Sequence, residues 1–111
     1  MQNVSGQIDL LQQLMATAEV RHRVLSQNLA NVNTPGYHRL DVSFDEQLQR
    51  HLRGESGAPE AFEQSGLPER ADGNNVDVDQ ELGQLSQNAL IHQAATQLIV
   101  SQMSKLRRAM S

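Results

Sequence analysis

The sequence predicts a mainly α-helical fold: two long terminal amphipathic helices in an antiparallel, coiled-coil-like hairpin, with a short extended segment and a flexible loop between them. Near the N-terminus, Val4, Ile8, Leu11, Met15, Ala18, His22, Leu25, Leu29 and Val32 recur in an unbroken alternation of four and three. Val78, Leu82, Leu85, Ala89, His92, Thr96, Ile99, Met103, Leu106 and Met110 do the same near the C-terminus. That spacing is the seam of a helix packed on other helices. Between the seams, residues 54–75 hold four of the seven glycines and two of the three prolines, a density of breakers that marks a loop.

The 111 residues make a single domain by length, divided into an N-terminal helix (1–33), a turn, extended segment and short helix (34–53), a flexible loop (54–75) and a C-terminal helix (76–111). Asn3 or Ser5 suits the cap of the first helix. Its end is set by Thr34-Pro-Gly-Tyr37: a proline disfavours the α conformation at Thr34, and Pro35-Gly36 suits the centre of a tight turn. Leu40, Val42 and Phe44 then alternate as in an extended segment, and Phe44, Leu48 and Leu52 mark one short helix. Asp77 and Asp79 favour a helix start, while Lys105, Arg107 and Arg108 complement the dipole at its end. Ala94, Ala95, Leu98 and Val100 widen the second stripe, so this helix should touch more than one neighbour.

Stripes this narrow cannot be buried within one chain. Hydrophobic residues make up 38% of it, with one Tyr, two Phe and no Trp, which is lean for a self-sufficient core because aromatics bury the most area each. The free chain is therefore expected to be poorly ordered, since isolated helices are marginal. A register that sets Val4 beside Met110 would bring His22 and His92 to one level as a polar layer; the alternative is two edge residues with exposed rings.

The chemistry points away from catalysis. The net charge of −4 argues against nucleic acid, which draws on clustered Lys and Arg. There is no cysteine, hence no disulfide or thiolate chemistry. The four histidines lack metal-ligand spacing, no serine lies in Gly-x-Ser-x-Gly, and no glycine loop suits phosphate. No enzyme activity, cofactor, metal or small-molecule substrate is expected. The N-terminus has neither a basic nor an apolar signal region, and no apolar run reaches the roughly 20 residues of a membrane span.

Asn28-Leu29-Ala30-Asn31, two residues, then Thr34-Pro35-Gly36-Tyr37 resembles the N-terminal signature of bacterial flagellar rod, hook and hook-associated proteins. A helix ending in a Pro-Gly turn explains Thr34 to Gly36 but neither the two asparagines nor the tyrosine. The resemblance covers nearly the whole chain and is weakest over 54–69. Asp72-Gly-Asn-Asn-Val-Asp-Val-Asp-Gln-Glu81, leading into Asn88-Ala-Leu-Ile-His-Gln93, is similar to the small proximal rod subunits. It implies a structural subunit of the basal-body rod that self-assembles helically through its terminal helices and transmits torque from the membrane ring to the distal rod and hook. Implied partners are other copies of the chain, other flagellar rod proteins, membrane-ring or rod-adaptor proteins and the flagellar type III export apparatus. The implied location is the periplasmic rod, reached without a cleaved signal peptide. In this reading Asn28 and Asn31 present amides to adjoining subunits, Ala30 admits a close neighbouring helix and Tyr37 packs after the turn. Leu11, Met15, Leu25, Val32, Leu82, Leu85, Ile99, Met103 and Leu106 carry the seams. The alternative is a non-polymerising helical-hairpin adaptor or export chaperone of the same system.

Overall fold

The computed structural model describes residues 4–55 and 57–111, with Val4 and Ser5 by backbone alone. The side chains expected to cap the first helix, Asn3 and Ser5, and the seam residue Val4 lie outside the described residues. In chain order the elements are α1 (Val4–Ala30), β1 (Leu40–Val42), α2 (Phe44–Leu52), β2 (Ala61–Glu63) and α3 (Val78–Met110). The 33-residue α3 begins at Asp77, whose carboxylate accepts from the backbone N–H groups of Asp79 and Gln80, so the acidic start supplies an N-cap as well as charge. Ser43 caps α2 likewise, accepting from Glu46 N at 3.1 Å.

Contacts between α1 and α3 run in opposite senses. Thr96 Oγ1 reaches Met15 Sδ at 3.9 Å, His92 Nε2 lies 3.3 Å from Glu19 Oε1, and Asn28 Nδ2 donates to Glu81 Oε2 at 3.1 Å. Asn88 Nδ2 donates to Ala18 O at 2.8 Å, a close backbone approach that alanine permits. The hairpin is antiparallel, but its register differs from a paired histidine layer. His92 meets Glu19, one helical turn before His22, and His22 is exposed. The bond from Asn88 Nδ2 to Ala18 O belongs to this register and not to the one inferred from the apolar repeat.

The molecule measures 63 × 26 × 16 Å with a radius of gyration of 17.3 Å, against about 13 Å for a compact domain of this length. Beside the hairpin, α2 lays Phe44, Leu48 and His51 on Leu10, Leu14 and Thr17 of α1. The segment expected to be a loop from Gly54 to Asn75 contains β2, which pairs antiparallel with β1: Leu40 faces Glu63, Asp41 faces Phe62 and Val42 faces Ala61. Three residues are too few to show a period of two, so this strand follows from its partner and leaves no mark in local pattern.

The interior is mostly polar. Ala18, Val24, Leu25, Val42, Val76 and Ala95 are its buried apolar residues, yet the fully buried side chains include Arg39, Glu81, Asn28, Asn74 and Asn88.

Candidate assembly site

The turn at one end of the hairpin is built first by local bonds. α1 stops at Ala30, three residues before the expected Asn33; the Gln27 carbonyl accepts from both the backbone N–H of Asn31 and its Nδ2, the latter at 2.8 Å. Val32 N and Thr34 N then bond three residues back, to Leu29 O and Asn31 O, as in a tightened last turn. Thr34 Oγ1 donates to Asn31 Oδ1 at 3.1 Å. Tyr37 N closes the next turn on Thr34 O at 3.2 Å. Pro35 and Gly36 occupy its centre, and the Gly36 φ of 74° is the left-handed value that this turn type demands.

Onto this turn docks the stretch before α3. Gly36 N donates to Asp72 O at 2.8 Å and Asn75 N to Tyr37 O at 3.2 Å. Asn74 Nδ2 donates to the carbonyls of both Asn31 and Thr34 at 2.9 Å, while its Oδ1 accepts from Val76 N. The guanidinium of Arg70 spans from Val32 O to Val76 O. Gly73, φ 83°, packs against the turn, where a Cβ would lie 3.4 Å from Gly36 Cα, whereas a Cβ at Gly36 would meet nothing within 4 Å; at both positions it is the positive φ that favours glycine.

Asn28 joins the turn to the interior. Its Nδ2 donates to Leu40 O (2.7 Å) and Glu81 Oε2 (3.1 Å), and its Oδ1 accepts from Leu40 N and the Tyr37 hydroxyl, both at 3.0 Å. Every donor and acceptor site of the amide is filled, and all partners lie in the same chain. The expectation that Asn28 presents an amide to an adjoining subunit is therefore corrected: it is 0% exposed and fastens α1, β1 and α3 together. Burial pushes the Tyr37 phenol above its ordinary range.

Behind Asn28 lies Arg39, also 0% exposed, which sequence reasoning passed over. Its Nε donates to Glu81 Oε1 at 2.5 Å, Nη1 to Gln64 Oε1 at 2.6 Å and Nη2 to Gln84 Oε1 at 2.8 Å. Asp41 Oδ2 lies 3.3 Å away, and Arg21 Nε meets Asp41 Oδ1 at 2.8 Å. The two arginines and two carboxylates balance in charge. Burial alone would raise the Asp41 carboxyl, but hydrogen bonds from Arg21 and Val42 N hold it below the usual range. Burial alone would lower Arg39, and Glu81 more than offsets this. Replacing a buried pair of this kind by well-packed apolar residues is often neutral or stabilising, whereas removing one partner alone is strongly destabilising. The alternation Arg39–Asp41 at the edge of an extended segment was the available signal, and it reads as ordinary surface charge until Glu81 is known to face it.

The apolar seams stand differently. The buried residues of α3 are Glu81, Asn88 and Ala95, each one residue before Leu82, Ala89 and Thr96 of the predicted stripe. The stripe is thus rotated to the margin of the hairpin contact. Leu85 and Ile99 are half-buried there, while Leu82 at 52%, Met103 at 56% and Leu106 at 42% are exposed. On α1, Leu25 is buried and Leu11, Met15 and Leu29 are half-buried, as is Val32 in the turn just beyond it. Ala18, Glu19, His22, Arg23, Asn88, Ala89 and His92 line a groove between the helices of about 450 Å³. At the end away from the turn, Ile8, Met103, Leu106, Arg107 and Met110 border a second, of about 480 Å³. Of the turn residues, Ala30, Thr34, Pro35 and Gly36 are exposed, and Asn31 and Tyr37 half-buried. The chain closes its turn and leaves much of its apolar stripe uncovered.

No protein-family model matches the chain. Similar proteins are known by name. The flagellar basal body rod protein FlgB of Borrelia hermsii is 30% identical over 115 residues, spanning 82% of this chain and 85% of that protein. The FlgB protein of Bacillus subtilis is 29% identical over 118 residues, spanning 93% and 92%. That of Aeromonas hydrophila is 29% identical over 116 residues, spanning 89% and 88%.

Proposed function

This chain belongs to the family of flagellar basal body rod protein FlgB, and on that premise we propose how it serves as a structural subunit of the bacterial flagellar rod. The observation that carries the reading is the uncovered stripe. Leu82, Leu98, Met103, Leu106 and Met110 are exposed on the single chain, where they gain burial only from neighbours. The terminal helices pack side by side with those of other subunits, so that a seam half-covered within one chain is completed by the next. Exposed Ala30 admits a close helix at the turn end. The docked turn and the buried Arg39–Glu81 pair keep each hairpin one stiff unit, suited to carry torque along the rod.

The partners in this reading are other copies of the chain, other rod proteins and the ring or adaptor proteins of the basal body. Delivery runs through the flagellar type III export apparatus to a periplasmic rod, without signal cleavage. The part played is structural and not enzymatic. Named rod relatives spanning most of the chain favour this over a non-polymerising adaptor or export chaperone.

The test is electron microscopy of basal bodies from a strain lacking this chain. Rings without a rod are expected, with rescue by the wild-type chain and poor rescue by Gly36→Val. Complete flagella in the deletion strain would sink the rod reading and promote the adaptor.

A further inference from the structure

Asp72-Gly73 is the one place in the chain where glycine follows aspartate or asparagine; Asp9, Asp41, Asp45, Asp77 and Asp79 all precede residues with side chains, as do all the asparagines. The pairing matters chemically because glycine offers the least hindered backbone nitrogen to a carboxyl group one residue before it. We propose that Asp72-Gly73 is a spontaneous isoaspartate site whose reaction the docked turn suppresses, so that the unfolded or undocked chain is modified and the folded one is spared.

The reaction balances within the chain and water. The Gly73 nitrogen attacks Asp72 Cγ, a nitrogen–carbon bond forms, and a carboxyl oxygen leaves as water. Hydrolysis of the resulting five-membered imide at the former backbone carbonyl restores that water. The main chain then runs through the side-chain carboxyl of residue 72, one methylene longer, and the former backbone carbonyl becomes a free carboxylate. No oxidant, reductant or cofactor enters.

In the folded chain each group that must move is held. Gly73 N donates to Arg70 O at 2.9 Å, and Asp72 O accepts from Gly36 N at 2.8 Å. Asp72 Oδ1 accepts from Asn74 N at 3.0 Å, with Arg70 Nε 3.9 Å away. On the far side, Asn74 is 0% exposed and tied to the carbonyls of Asn31 and Thr34. Closing the imide ring requires Gly73 to leave Arg70 and the carboxyl to leave Asn74. The product cannot return to the same place, because an added methylene moves Asp72 O off Gly36 N. A modified chain would therefore lose the dock that protects an unmodified one. The inference rests on this geometry and not on the rod reading, which would survive its failure.

The test incubates the intact chain at neutral pH and physiological temperature, in buffer and in urea. Isoaspartate is counted by methyl transfer from an isoaspartate methyltransferase and located by peptide mass spectrometry. Formation at residue 72 should be about tenfold or more slower in buffer, since a reaction that needs local opening scales with the open population. Asn74→Ala keeps the reactive pair but removes its anchor, and should raise the rate in buffer toward that in urea. Asp72→Glu should abolish the signal in both. Equal rates in buffer and urea, or labelling that falls mainly at another residue, would overturn the proposal.

Discussion

The two ends of the hairpin solve opposite problems with opposite chemistry. At the turn end, buried polar groups find all their partners inside the chain: Asn28, Arg39, Glu81 and Asn74 are 0% exposed and hydrogen-bonded to one another or to backbone. At the open end, apolar groups find few. Met103 is 56% and Met110 79% exposed, and Lys105, Arg107 and Arg108 are exposed beside them. Polar contacts need geometry that one chain can supply, and once made they admit a single arrangement. Apolar stripes need only area, which neighbours can supply. The difference separates what the subunit fixes for itself from what it leaves to assembly.

The largest expected effect comes from breaking the turn end. Arg39→Ala or Glu81→Ala leaves an uncompensated charge in the interior and should cost about 3–5 kcal/mol, read from denaturant unfolding followed by circular dichroism. Replacing both with apolar residues of similar volume should recover most of that loss. If it did not, the pair would be contributing stability of its own.

Smaller losses follow from the turn. Asn28→Ala removes the partner of Leu40 N and Leu40 O and should cost about 1–3 kcal/mol. Gly36→Val forces a β-branched residue into the left-handed region, a penalty of at least about 1–2 kcal/mol. Both should be visible in the same unfolding experiment as a lower midpoint with little change in slope.

The open end should respond in the reverse sense. A Met103→Ser, Leu106→Ser double variant removes exposed apolar area and should change monomer stability by about 0.5 kcal/mol or less. Its assembly into rods, scored by motility and electron microscopy, should fail. Loss of monomer stability without loss of assembly would invert the comparison.

The contrast was half legible in the sequence. The 4-3 repeats of Leu, Ile, Val and Met announced two helices, and Pro35-Gly36 announced the turn between them, because period and backbone restriction are local properties. The acidic start of α3 at Asp77 and Asp79 followed from the same kind of local rule, while the cap that Asp77 forms was seen only in the structure. Arg39 and Glu81 were not legible as a pair: they are 42 positions apart, and each alone looks like a solvated charge. The same holds for Asn88, whose contact with Ala18 O accompanies a register one turn from the one read from the apolar repeat. β2 carried no local signal at all. Asn28 was picked out as a special residue by resemblance, but its use within the chain required seeing Leu40, Tyr37 and Glu81 around it.

The smallest expected effects are those of pH. Asp41 is depressed in the folded chain, so its contribution is present above the unfolded value of about 3.9 and is lost as pH falls through the folded value. His38 lies 2.6 Å from a Glu63 oxygen and 2.8 Å from a Glu69 oxygen, and the hydrogen bond to Glu63 first, then the nearby carboxylates, raise it. Its contribution is complete below about 6.5 and is lost as pH rises through the folded value. Titration of the His38 ring by NMR should give a value above that of a free histidine, and the protection factors of the β2 amides, corrected for the intrinsic rise of exchange with pH, should fall at the higher pH.

The most direct test of the division between the two ends is hydrogen exchange of the backbone amides, measured by mass spectrometry on the dilute chain and again on assembled rods. In the dilute chain, protection should concentrate in α1 near Leu25 and Asn28, in β1, and in the first half of α3 up to Ala95, and should fall away toward Met103 and Met110. Assembly should then add protection chiefly along that second half. Uniform protection along the whole dilute hairpin, or protection strongest at the open end, would contradict the account.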